Sequence, residues 1–161
     1  RLQASSGFQS VQFRAFEIAL GKRNEVALSP HAEGTEARSM LEERLTRPTV
    51  YQSFLTYLAQ EGYPIPDEAL APQGLASTGE NEEIQAVLLD IYRQAPALSQ
   101  ICELLVDLDE GVQEWRYRHV KMVERTIGAK IGTGGSAGAE YLRRTLFTPL
   151  FPDLWTIRSK F

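Results

Sequence analysis

The chain has 161 residues, 43% of them apolar, enough for one domain to build a core without disulfide or metal staples. Its formal net charge is −4 with no block of like charge, which argues against a nucleic-acid-binding surface and a disordered acidic tail. No apolar run approaches the roughly 20 residues of a membrane span, and no charged start followed by an apolar core resembles a signal peptide, so the expected location is the cytoplasm.

The predicted elements are helical throughout. Phe8, Val11, Ala15, Ile18 and Ala19 follow helical spacing over residues 8–21, with Ser5 or Ser6 as N-cap and Gly21 as the stop. The pattern lapses among Asn24, Ser29, Pro30 and Gly34, then returns over residues 36–46 through Ala37, Met40, Leu41 and Leu45. Pro48 suits a first helical turn, and Tyr51, Phe54, Leu55 and Leu58 form one apolar face that ends at Gly62 and Pro64. Residues 62–78 read as a loop. Residues 80–93 are again helical, with Ile84, Val87, Leu88 and Ile91 on one side and acids in the first turn. Beyond Pro96, residues 97–127 hold no proline and one glycine, Gly111, which predicts a single helix of about 45 Å at the usual rise. Residues 128–138 are glycine-rich, residues 140–147 read as a short helix, and Pro149 and Pro152 punctuate an aromatic tail. No alternating strand pattern occurs, so the expected fold is all-α with one long central helix.

Three features bear on chemistry. Ile101, Leu105, Leu108, Val112, Trp115, His119, Val123 and Ile127 are three or four apart and share one face of the long helix. His119, within that stripe, is either a core histidine bonded through one ring nitrogen or an axial haem ligand, since a flat apolar cofactor needs such a wall and one nitrogen for its iron. His31 is the only other histidine, and no carboxylate or cysteine stands at zinc-like spacing from His119. Without a Cys-x-x-Cys-His motif any haem is non-covalent. The run Gly132-Thr133-Gly134-Gly135-Ser136-Ala137-Gly138 is either a linker or an anion cradle at a helix start, and it matches neither the P-loop nor the dinucleotide pattern. Ser5-Ser6-Gly7-Phe8 taken alone is a cap. Trp115, Tyr117, Tyr141, Phe147, Phe151, Trp155 and Phe161 are core or subunit interface by default, and the lone Cys102 reads as a buried apolar residue.

Three segments also carry a resemblance: Ser5-Ser6-Gly7-Phe8-Gln9-Ser10-Val11-Gln12-Phe13-Arg14, then Trp115-Arg116-Tyr117-Arg118-His119-Val120 with Met122-Val123-Glu124-Arg125, then the glycine run followed by Tyr141-Leu142-Arg143. In this order the chain resembles the tryptophan 2,3-dioxygenase family of helical haem enzymes, over residues 5–158. The resemblance implies one haem b per subunit with His119 as the proximal iron ligand and Trp115, Met122 and Val123 on the proximal wall. It further implies Ser6 and Gly7 beside haem and indole, and Thr133 at the ammonium and carboxylate of L-tryptophan. The implied reaction inserts both atoms of O2 across the indole C2–C3 bond, giving N-formyl-L-kynurenine, in a homotetramer. Arg118, Lys130 and Tyr141 are each either a solvated or packing residue or, by nearness to His119 and the glycine run in sequence, a partner for a haem propionate.

The family's substrate-carboxylate arginine and distal histidine fall upstream of the Ser-Ser-Gly-Phe segment. Arg1 stands too close to Ser5 to take the arginine's role, and no distal catalytic residue is assigned in the chain. The expectation is that residues 1–161 form a single helical domain, the C-terminal part of a longer haem dioxygenase. Two other functions stand beside it. One is a related haem enzyme oxidising a modified indole in secondary metabolism, and the other a non-catalytic helical module for haem binding or assembly.

Overall fold

The computed structural model describes residues 2–21, 34–70, 79–127 and 146–161, with side chains from residue 11 onward except Val123 and Ile127. Every regular element among them is helical: α1 (Leu2–Leu20), α2 (Glu36–Leu45), α3 (Val50–Gln60), α4 (Asp67–Leu70), α5 (Glu82–Gln94), α6 (Pro96–Ile127), α7 (Pro152–Thr156) and a 3-10 turn (Ile157–Lys160).

Local chemistry explains most boundaries. At α3 the Thr49 side chain accepts from the Gln52 backbone N–H at 3.0 Å while Gln52 Oε1 accepts from the Thr49 N–H at 2.9 Å. This reciprocal box places Pro48 just ahead of the cap rather than in the first turn. At α5 the Asn81 side chain accepts from the N–H groups of Glu83 and Ile84, and Glu82 and Glu83 stand where the helix dipole favours them. Gly21 ends α1 as expected, and a Cβ there would meet the Leu150 carbonyl oxygen at 3.3 Å.

The start of α1 corrects the sequence expectation. The helix begins at Leu2, so Ser5, Ser6 and Gly7 lie within it and neither serine is its N-cap. A serine is only mildly unfavourable inside a helix, and its capping potential depends on where the chain turns, which the local pattern does not record. The loop expected over residues 62–78 contains the short α4, and the aromatic tail, for which no element was read, is helical from Pro152. The helix expected over residues 140–147 falls outside the described residues except for Leu146 and Phe147, which form a turn.

α3, α5, the first half of α6, α7 and the 3-10 turn enclose one core, in which Tyr51, Leu55, Leu58, Leu88, Ile91, Cys102, Phe151, Leu154 and Ile157 have no solvent exposure. A second, smaller core of Val11, Ile18, Leu41 and Leu45 joins α1 to α2. Two buried carboxylates, Asp109 of α6 and Asp153, tie the tail to the helices. Asp153, in the first turn of α7, accepts from the Tyr51 hydroxyl at 2.9 Å, the Asn81 N–H at 2.8 Å and Gln85 Nε2 at 3.0 Å. Burial and the Asp153 carboxylate push the Tyr51 hydroxyl well above its ordinary pKa, keeping it a donor.

Candidate functional site

The long helix carries the site, and its buried face does not follow the expected stripe to the end. Leu105 and Val112 are buried and Ile101 and Leu108 pack against the core, as the spacing predicts. Past Val112 the buried positions become Arg116 and Val120, while Trp115 is 43% exposed. The reason is an ion pair. The Arg116 guanidinium lies against Glu17 of α1, Nε to Oε1 at 2.8 Å, and its Nη1 donates to the Thr148 carbonyl at 3.0 Å. A buried charge is tolerable only when paired and hydrogen-bonded, so α6 turns Arg116 inward toward those partners. Trp115 and His119 are thereby carried to the rim.

There they form a three-ring stack with α1. The Trp115 and His119 rings, one turn apart on α6, lie 4.9 Å apart and 7° from parallel. The Phe13 ring, from α1, stacks on Trp115 at 3.9 Å and 25°. Phe13 and Glu17 are themselves one turn apart, so α1 is fastened to α6 by two successive contacts, one aromatic and one ionic.

His119 is partly buried, and burial holds its imidazole below the ordinary histidine pKa. Its ring is therefore neutral near pH 7 and keeps a lone pair for a metal. Among the described residues no side chain or carbonyl hydrogen-bonds it, and no group of three or more His, Cys, Asp or Glu could hold a metal ion. A single neutral nitrogen beside a large aromatic face does not make a zinc or di-iron site. It fits the one protein bond and the apolar wall that haem requires.

The other expected residues divide as follows. Gly7 and Ser6 lie on α1 six and seven positions before Phe13, about 9–10 Å along the helix axis. The Phe13 to Trp115 contact thus brings the helix bearing them against the helix bearing His119. Met122, one turn past His119, is 55% exposed. It borders a surface groove of about 380 Å³ with Tyr117, Arg118, Lys121, Arg125 and Thr126. Arg118 pairs with Glu114 at 2.5 Å on the exposed side of α6. Val123 is placed in α6 by its backbone. Thr133 and the whole glycine run, with Lys130, Tyr141 and His31, lie outside the described residues.

Sequence reading missed Phe13 as a site neighbour and missed the Glu17–Arg116 pair. Phe13 stood in a matching segment but off the apolar face assigned to that helix. Nothing in local spacing separates Arg116 from the exposed Arg118, because the partner lies 99 residues away.

A family model described as tryptophan 2,3-dioxygenase matches residues 67–161. The chain is 54% identical over 159 residues to a tryptophan 2,3-dioxygenase of Anaeromyxobacter sp. (strain K), covering 99% of this chain and 60% of that protein. Similar proteins of the same name occur in Herpetosiphon aurantiacus, at 51% identity over 98% of this chain and 60% of the relative, and in Pseudomonas aeruginosa, at 43% over 98% and 56%. The chain thus spans about 60% or less of the length of these relatives.

Proposed function

Because the chain belongs to the tryptophan 2,3-dioxygenase family, we propose that it is the haem-ligating part of an enzyme that cleaves the indole C2–C3 bond of L-tryptophan with O2, giving N-formyl-L-kynurenine. The observation that carries this reading is His119: a partly buried imidazole held below its ordinary pKa, stacked on Trp115, with no hydrogen-bond partner among the described residues. Haem b, when bound, supplies the iron at which O2 is activated.

The chain's own residues bind, orient and exclude water. His119 would hold the iron through one ring nitrogen, with Trp115, Met122 and Val123 supplying apolar surface beside it. Ser6 and Gly7 of α1 would line the haem and indole. Thr133 would hydrogen-bond the ammonium and carboxylate of the amino acid and so orient it. Assembly as a homotetramer belongs to the same proposal, and the exposed rings of Tyr117, Phe147 and Phe161 support it as surface that a partner subunit would cover. Among the described residues no helix is long and apolar enough to cross a membrane, in keeping with the cytoplasm as the proposed location.

The test is an absorption spectrum of the chain with haem b, oxidised and dithionite-reduced, with and without L-tryptophan. Wild type is expected to take up haem with a histidine-ligated spectrum that changes on adding tryptophan. His119→Ala is expected to lose or loosen the haem. An intact spectrum at full occupancy in that variant would exclude His119 as the ligand.

A further inference from the structure

A histidine that ligates a metal is normally aimed by a hydrogen bond from its second ring nitrogen to a carboxylate or carbonyl. His119 has no such partner among the described residues. Its own torsion does not fix the ring plane either, because rotation about the bond to an sp² ring has broad minima. The feature that defines the plane is the Trp115 indole, 7° from parallel at 4.9 Å. Trp115 is itself 43% exposed and would swing freely on an isolated helix rim. It is held by Phe13, stacked at 3.9 Å, and Phe13 is partly buried against the main core and anchored one turn along by the Glu17–Arg116 pair.

We infer that Phe13 is a positioning residue for the haem-ligating imidazole: α1 sets the plane of His119 through the Phe13–Trp115–His119 stack. The inference rests on the reading of His119 as the iron ligand. It assigns α1 two tasks at once, since the helix that carries Ser6 and Gly7 also aims the nitrogen on α6. Face-to-edge and offset-stacked rings resist rotation because sliding them loses both dispersion contact and quadrupole complementarity.

The experiment has two readouts on the 161-residue chain. In the haem-free protein, proton NMR follows the His119 ring resonances, identified against His31 by their absence in His119→Ala. Protons over the face of an indole are shifted upfield, so the stack predicts displaced His119 signals in wild type, retained in Phe13→Tyr and largely lost in Phe13→Leu. With haem b added and reduced, resonance Raman reads the iron–histidine stretch. That band is expected to shift and broaden in Phe13→Leu and to return in Phe13→Tyr. Trp115→Leu, which removes the middle ring of the stack and leaves the Glu17–Arg116 pair in place, is expected to reproduce both changes.

A fall in melting temperature for Phe13→Leu with His119 signals and stretch unchanged would mean a purely structural role and overturn the inference. Unchanged signals in Trp115→Leu would overturn it even if Phe13→Leu fails to fold. A wild-type chain with no histidine band, or one that survives His119→Ala, would overturn the ligand reading and the inference with it. A normal band in wild type with the same frequency and width in both Phe13→Leu and Trp115→Leu would remove Phe13's role alone.

Discussion

The Trp155 indole donates its N–H to Asp109 Oδ2 at 2.9 Å, joining α7 to the middle of the long helix through a carboxylate with no solvent exposure. The same oxygen accepts the backbone N–H groups of Leu150 at 2.8 Å and Phe151 at 3.2 Å, and Oδ1 accepts from Gln113. From sequence Trp155 is core or subunit interface, and the structure packs it, partly buried, against the main core with its polar edge satisfied within the chain.

Asp109→Ala is expected to destabilise the chain by about 3 kcal/mol, because two backbone donors and an indole lose a charged acceptor in a site that water does not reach. Asp109→Asn, which keeps one acceptor oxygen, is expected to lose less. Urea unfolding at constant m-value measures both. Equal midpoints for wild type and the alanine variant would show that the hub contributes nothing.

The acid limb of stability should depend on Glu103. It accepts the Tyr92 hydroxyl at 2.6 Å and Arg158 at 2.8 Å, and these contacts hold its carboxyl below its ordinary value of 4.5 despite partial burial pulling the other way. A depressed folded pKa means that the unfolded chain binds the proton more tightly. Glu103's stabilisation is therefore complete above about 4.5 and lost as pH falls through the lower folded value. The stability difference between wild type and Glu103→Gln should shrink across that interval in acid titrations followed by circular dichroism. A difference independent of pH would refute the assignment.

Cys102 should be inert in the folded protein. It has no exposure, and burial together with the neighbouring Glu103 charge pushes its thiol up to about 12. Ellman's reagent at pH 8 is expected to react only as fast as the chain opens, and stoichiometrically in denaturant. Immediate reaction under native conditions would contradict this packing.

Thr133→Ala tests the proposed substrate contact. Loss of one hydrogen bond to a charged group, about 1.5–3 kcal/mol, should weaken tryptophan binding roughly tenfold to a hundredfold while leaving the haem spectrum without tryptophan unchanged. Unaltered affinity in a titration would remove Thr133 from the site.

What could be read from sequence follows the range of the interactions involved. α5 was legible because its first-turn glutamates and the Ile84, Val87, Leu88 and Ile91 face lie close together and agree with one another, although its cap at Asn81 was not read. The length of α6 was legible from what it lacks, an interior proline. The inward turn of Arg116 was not, because it depends on Glu17 and on a carbonyl 32 residues downstream. The same holds for Asp153, whose acceptor role depends on Tyr51, 102 positions away. At the site, His119 stood out by its place in an apolar stripe. The ring from α1 that backs Trp115 did not, since Phe13 lies off the apolar face read for that helix and differs from Phe16 only in what the fold brings to it.

The division of the apolar interior has a consequence for how the molecule breathes. α2 contributes buried side chains to the small core with α1 and none to the main one. Contiguous units with few shared contacts open separately, below the free energy of global unfolding. The α2 amides should accordingly exchange with deuterium well before those of α3, α5 and the first half of α6. Each such opening would strip Val11 and Ile18 of their cover and loosen α1 along its length. Through α1, opening of a helix with no part in the stack would reach the His119 ring, adding to its thermal motion.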